Sequence, residues 1–396
     1  MCAAAATEVA AQDRSLVLNE QLQLGEVFAG QTLNVVDVSA QVTATTNARG
    51  NQLIGGSYGR STDIVSSQEA RDVSATTTLS LGGDTAGLVT SATEARGNLL
   101  SGAIYNGPMT VDATQTASGD VTASTAITGT EARLVGGGQI SAGAFANTAV
   151  LGGSGTNGGR AVLTGRVDQT TTGDVRATNL ASPRFVRDPA EFSSQAVANV
   201  VQATTTPNAN QELQVRQRSS GALVEARTGV WAGNGWNLAA RAHAGGNQAS
   251  FHNQGGSLVP TTDQANSARV RSDSELSAYD FGKATSSADA VANEVSVANN
   301  DIYVDIDNTQ MNTGGVEATA SFTGQTGYDA YVGANAAGNA ITGYGGAPTV
   351  RNVQTNSGDV SAIATTTING SGRHVITGAN AVGNAATFYV NGTGGN

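Results

Sequence analysis

A short unit recurs along this chain: an alternating Gln/Thr-rich segment, a Gly-Asp turn, a Val/Ala/Thr segment, and a small-residue run that closes on Gly-Asn. Its fullest copy lies between Gly345 and Asn384, where Gln354-Thr355-Asn356-Ser357-Gly358-Asp359-Val360-Ser361-Ala362 leads to Gly378-Ala379-Asn380-Ala381-Val382-Gly383-Asn384. Glycine and aspartate accept positive φ cheaply, so Ser-Gly-Asp between period-two segments marks a tight reversal. Met once, it reads as a hairpin turn; repeated, it reads as the corner of a coil. Looser copies run upstream: Ala48-Arg49-Gly50-Asn51, Asp72-Val73-Ser74-Ala75 with Ala95-Arg96-Gly97-Asn98, Gln115 to Ala123 around Gly119-Asp120, Gln169 to Ala177 around Gly173-Asp174, and Gln310 to Ala318 around Gly314-Gly315.

Equivalent positions are unevenly spaced: Gly119 to Gly173 is 54 residues, Gly314 to Gly358 is 44 and Asn335 to Asn380 is 45. Repeats of this length in a β-rich chain make a solenoid, a propeller or a stacked array. Blades of a closed ring keep nearly equal length, whereas a solenoid coil takes insertions at its turns without breaking the stack. The spacing therefore selects an all-β, elongated, right-handed parallel β-helix with irregular coils. Small Val, Ala, Ile and Leu positions fill its narrow core, and the asparagines of the Gly-Asn pairs stack as a ladder at a corner.

Along the chain, residues 15–180 and 300–396 read as repeats, residues 181–299 as an irregular β-rich section, and residues 1–14 as a signal tail or flexible start. Leu16, Leu18, Leu22 and Leu24 fall on one face of an extended first segment. In the middle section Asp188-Pro189-Ala190-Glu191 carries a helix start, with an acid N-cap, proline at the first position and glutamate at the third. One short helix with Phe192, Ala196, Val197, Val200 and Val201 on its face fits there. An extended coil also fits, because Ala196-Val197-Ala198-Asn199 recurs as Ala290-Val291-Ala292-Asn293.

Charged residues are 13% of the chain, about half the usual share for soluble domains, and 51 glycines with many Ser, Thr, Asn and Gln take their place. That is the composition of a secreted surface structure. Disorder competes with it, and sustained Val/Ala alternation between Gly-rich turns argues for order. A net charge of −11 with Lys283 the only lysine excludes a nucleic-acid surface. Cys2 is the only cysteine, so hydrogen bonds and packing must hold the fold. The start, Met1 to Asp13, has three readings: the tail of a secretory signal cleaved near Ala3–Ala6 or after Val9-Ala10-Ala11, a flexible alanine-rich lead, or a site of lipid attachment at Cys2.

Chemistry is sparse. Trp231 and Trp236 lie near Asn, Gln and Arg, a setting in which an exposed aromatic face stacks on a pyranose or simply covers a coil. Asp301, Asp305 and Asp307 share one face if Asn300 to Asn308 is a strand, an acidic constellation for Ca²⁺ or for paired-carboxylate hydrolysis. The calcium nonapeptide repeat is absent and no basic partner accompanies them, so a solvated strand face is the alternative. His243, His252 and His374 lack paired metal-ligand spacing, and the glycine run Gly152 to Gly159 is not followed by the Gly-Lys-Ser/Thr of a phosphate cradle. No cofactor, metal site or catalytic residue is assigned.

The Ala-Arg-Gly-Asn, Gln-Thr-x-Ser/Thr-Gly-Asp-Val-x-Ala and Gly-Ala-Asn-Ala-x-Gly-Asn units, on an alanine-rich start, resemble the holdfast anchor protein D family of stalked bacteria. The resemblance covers most of the chain. It implies an exported cell-surface protein, associated with the outer membrane at the cell pole, that fastens the adhesive holdfast polysaccharide together with an amyloid-like anchor subunit and a curli-secretion-like lipoprotein. Unpaired strand edges at the ends of a solenoid add self-association to the expectation. The competing functions are a polysaccharide-degrading β-helix using Asp301, Asp305 and Asp307, and a curli-like amyloid subunit.

Overall fold

Alternating small residues with turns at each Gly-Asp build one stack of three-sided coils, in which every strand pairs in parallel with the strand one coil away. The computed structural model describes residues 14–390 apart from 130, 157, 301–302 and 347–348, so the alanine-rich start and Cys2 lie outside the described residues. Side one is an eight-stranded parallel sheet running from Arg14–Leu22 to Thr349–Asn356. Side two runs from Val27–Val35 to Val360–Ile368, and side three from Val42–Tyr58 to His374–Val390. In three coils sides two and three merge into single long strands, Leu223–Asn253, Arg269–Asn299 and Val316–Gly345. Parallel pairing continues without interruption through residues 181–299. The repeat sets the register: Asn335 pairs with Asn380, and Val121 with Val175.

Side three bends once, at the residue before each Gly-Asn asparagine, where the pairing skips a position between Arg49↔Arg96 and Asn51↔Asn98. The first half of the strand packs on side two around Val73, Leu79, Val121 and Ile140; the second half packs on side one around Leu100, Met109, Leu163 and Phe251. Two apolar lobes result, separated by a polar seam. In the seam Asn51, Asn98, Asn147, Asn199, Asn247, Asn293, Asn339 and Asn384 hydrogen bond rung to rung at 2.7–2.9 Å. Beside them Gln21, Gln68, Gln115, Gln169, Gln217, Gln264, Gln310 and Gln354 form a second ladder at 2.7–2.8 Å.

Each ladder also ties the two walls together. Asn98 Nδ2 donates to the Thr116 carbonyl of side one, while Gln115 Nε2 donates to the Thr148 carbonyl of side three. These carbonyl acceptors fix which end of each amide is nitrogen. Buried amides left without partners cost about 1–3 kcal/mol each, so satisfying both hydrogens is what permits a polar seam inside an apolar stack.

The Gly-Asp turns are corners between sides one and two, and they stack. A Cβ on Gly173 would fall 1.9 Å from the Gly119 carbonyl oxygen, and one on Gly358 would fall 1.9 Å from that of Gly314. The aspartate of each corner reaches the next coil: Asp72 Oδ1 accepts from the Asp120 amide, and Asp120 Oδ1 from the Asp174 amide.

One expectation is corrected. No helix forms among the described residues: Ala190–Thr205 is a strand, with Ala190 paired to Gly138 on one side and Leu238 on the other. Phe192 is buried by alternation, and Ala196, Val197, Val200 and Val201 are all buried because the strand bends at Ala198-Asn199 and is covered on both faces there, which imitates a helical stripe. The leucines of the first strand point outward, Leu16 being 60% and Leu18 72% exposed, while Val17, Asn19 and Gln21 face in.

Asn199 accepts from Asn147 and Thr171 and donates to Asn247 and to the Arg218 carbonyl, so Asn199→Ala takes a bond from four partners. It is expected to destabilise the protein by about 3 kcal/mol or more, against about 0.5 kcal/mol for the outward-facing Gln202→Ala, measured by denaturant unfolding. Gly358→Val is expected to lift the last coil off Gly314. Hydrogen exchange would then quicken at Asn312 to Val316 as well as at 358, and unchanged protection at the neighbouring coil would disprove the stacked corner.

Candidate functional site

Between sides two and three the chain turns, and the turns stack into a column of their own. Phe185-Val186 pairs with Asn234-Gly235, which pairs with Asp280-Phe281, which pairs with Thr326-Gly327. The inward residue Phe281 is buried and meets Phe322 edge to face at 4.8 Å, anchoring the turn to the core. Outward residues of the same column line a groove of about 460 Å³, walled by Phe185, Asn234, Trp236, Asp280, Thr326 and Tyr328.

Trp236 and Tyr328 are two coils apart yet stacked, with centroids 6.1 Å apart and planes at 20°. The reason is the residue between them. Gly282 lies between them, because its neighbours Phe281 and Lys283 pair with the residues flanking Trp236 and Tyr328, and a Cβ there would sit 2.6 Å from Trp236 Cε3, so glycine leaves room for the rings to lean together. The two rings remain 51% and 49% exposed, presenting a flat apolar floor to solvent.

Charge frames the floor. The Arg373 guanidinium lies 5.4 Å from the Tyr328 ring centre and binds Asp329 through Nε at 2.9 Å and Nη2 at 2.6 Å. These bonds, then the His374 ring at 3.1 Å, hold the Asp329 carboxyl down at about 2. At the opposite end Arg133 lies 5.2 Å from the Phe185 ring centre and pairs with Asp84 at 3.2 Å. Aromatic faces flanked by amide, hydroxyl and carboxylate groups suit a sugar ring, whose C–H face stacks while its hydroxyls bond at the edge.

Of the two tryptophans singled out in the sequence, only Trp236 stands in this groove. Trp231 lies outward on side two, lies over Gly229 and donates from Nε1 to Glu275 at 3.0 Å. Asp305 and Asp307 are on the outward face of Asp305–Asn312, and Asp301 lies outside the described residues. The basic partner that the local sequence lacks is supplied 44 residues away: Arg351 of the next coil donates to both Asp307 oxygens at 3.1 Å. Among the described residues no group of three or more His, Cys, Asp or Glu side chains is placed to hold a metal ion. His243 bonds Gln248 at 2.8 Å, and His374 belongs to the Asp329 cluster. Phe185, Asp280 and Tyr328 are site residues that the linear sequence does not flag. They become visible only when turns of successive coils are placed in register.

The model of the holdfast attachment protein D family matches residues 36–315. The chain belongs to this family. Membership implies a part in holdfast attachment at the cell surface. No curated protein and no solved structure matches the chain. The holdfast attachment protein D match takes in the groove walls from Phe185 to Phe281, and Thr326, Tyr328 and Arg373 lie beyond it.

Because Asp329 binds its proton more weakly when folded than the ~3.9 of a free aspartate, the stabilisation it lends is present above about pH 4 and is lost as pH falls toward 2. Arg373→Ala removes the main cause. Carboxyl carbon NMR titration should find Asp329 near 2 in the parent and within the ordinary aspartate range in the variant; an unmoved value would show that the Arg373 pair does not set it.

Proposed function

We propose that the protein is a secreted, non-enzymatic anchor that holds an adhesive polysaccharide to the outer membrane at the cell pole, with the Trp236–Tyr328 groove as its saccharide contact. The observation that carries this reading is an exposed, stacked aromatic floor on a rigid parallel stack, in a chain of the holdfast attachment family. Other polar side chains on the coil faces add weak contacts, and repeated weak contacts multiply through avidity. The curli-secretion-like lipoprotein and the amyloid-like anchor subunit complete the attachment. The outward leucines Leu16, Leu18 and Leu22 are the apolar surface suited to such a protein partner. We take the coil to wind right-handed, the sense that parallel crossovers adopt almost without exception.

Asp307 held by Arg351 is a poor acid or nucleophile, since its charge is held in an ion pair and an open strand face encloses no site. Trp236→Ala combined with Tyr328→Ala is expected to weaken binding of purified protein to shed holdfast polysaccharide about tenfold, at roughly 0.5–1.5 kcal/mol per lost ring. In cells carrying the double variant at normal level the adhesive should appear in the medium. Full retention of both binding and adhesive would remove the groove from the reading, and release of shortened polysaccharide would turn it toward an enzyme.

A further inference from the structure

The two ends of the stack are complementary in hydrogen-bond polarity. Interior asparagine rungs use both amide hydrogens: Asn339 Nδ2 donates to Asn384 Oδ1 at 2.7 Å and to the Thr355 carbonyl at 2.9 Å. Asn384, the last rung, is exposed and accepts from Asn339, which turns its own Nδ2 toward the open end. The glutamine ladder runs the other way. Gln354 donates inward to Gln310 at 2.7 Å and to the Ala385 carbonyl at 3.0 Å, leaving Oε1 toward that same end. At the first coil Asn51 donates up the stack to Asn98, so its Oδ1 faces the other end. There Gln21 Nε2 gives one hydrogen to the Gln52 carbonyl at 3.0 Å and directs the second outward. One end thus carries an asparagine donor and a glutamine acceptor; the other carries an asparagine acceptor and a glutamine donor.

The spacing matches as well. Gln21, Val27 and Asn51 are separated by 6 and 24 residues, as are Gln354, Val360 and Asn384, so one offset of 333 positions aligns all three sides at once. Side two is 9 residues long in both end coils and side three is 17 in both. Core residues with incomplete cover sit in these same coils: Val27, Leu33 and Leu53 at the first, Val360, Ile368 and Phe388 at the last.

We propose that the protein assembles head to tail, the first coil of one copy stacking on the last coil of another, so that Asn384 donates to Asn51 of the next copy and Gln21 of that copy donates to Gln354. Both ladders, all three sheets and both core lobes then continue across the junction. Assembly adds a filament to the anchoring role and does not depend on what the groove binds.

Two single-cysteine chains in a Cys2→Ser background test the register. Phe28→Cys and Ser361→Cys occupy outward positions that the common offset brings side by side, about 5 Å apart. Phe28→Cys with Thr365→Cys is displaced by four residues, roughly 13 Å. A short bifunctional maleimide should join the first pair at least about tenfold more than the second. Asn384→Asp keeps the acceptor for Asn339 but removes the donor and adds a charge at the junction. Sedimentation should show its association weakened about tenfold or more, with unchanged thermal unfolding and unchanged polysaccharide binding through the groove. A chain that stays monomeric at the highest soluble concentration, equal cross-linking of the two pairs, or undiminished association of Asn384→Asp would each overturn the proposal. None of those outcomes bears on sugar binding, which is read separately.

Discussion

The interaction on which this structure depends is the paired amide ladder in the seam. Asparagine rungs donate toward the C-terminal end at every step and glutamine rungs donate toward the N-terminal end at every step. Primary amides carry dipoles comparable to the ~3.5 D of a peptide unit, and a single aligned column would build a field along the axis as a helix does. Two columns of opposite sense side by side cancel it. The pair also fixes register absolutely. A slip of one residue in any coil would put an outward-facing neighbour in place of the amide and leave two hydrogens of the adjoining rungs unsatisfied, a cost repeated on both neighbouring coils.

With register held in the interior, the corners are free to vary. Successive asparagine rungs are 47, 49, 52, 48, 46, 46 and 45 residues apart, and the extra residues all lie at turns. The Gly-Asp corner tolerates least, because each glycine lies under the carbonyl of its neighbour. Length varies most between sides three and one, where Asn147 and Gln169 are 22 residues apart but Asn339 and Gln354 only 15, while the turn between sides two and three varies most in form. There short strands, loops and merged strands alternate from coil to coil, and there the aromatic groove is found. Variation is thus concentrated at the two corners that lack the stacked Gly-Asp turn.

Much of this was legible in the sequence, and the reason is periodicity. Gly-Asn pairs, Gly-Asp corners and uneven spacing led to a parallel solenoid with stacked asparagines, because each of these residues does its work at a fixed place in every coil. The asparagines stack in a bend between two core lobes and not at an outer corner, a distinction no linear pattern carries. The glutamine ladder was hidden for another reason: glutamine is common in the outward Thr-rich segments, and only the fixed interval of 5–7 residues to the following valine, Gln68 to Val73 or Gln115 to Val121, marks the inward ones. Local signals misled where the stack overrode them. Asp188-Pro189-Ala190-Glu191 is a good helix start, but a helix there would have broken pairing with two neighbouring coils at once. The outward leucines of the first strand obey alternation and reverse its usual meaning, and alternation alone does not say which face is the core.

The groove follows from the same logic. A sugar-binding surface needs aromatic rings held at fixed separation, and a side chain on an isolated loop loses rotamer entropy when it is fixed by a ligand. Here Trp236 and Tyr328 are fixed beforehand: each lies between residues paired to neighbouring coils, glycine clears the position between them, and Arg373, itself clamped by Asp329, lies on the far ring. A stack that is rigid because its interior amides are satisfied therefore supplies preorganisation to a site at one of its less constrained corners. The elements that hold the coils together and those that contact a ligand are separate side chains on one backbone. The seam tolerates no change while the groove can diverge, and under the proposed saccharide contact a change of preference is expected at Phe185, Asn234, Asp280 and Thr326 before it touches any rung.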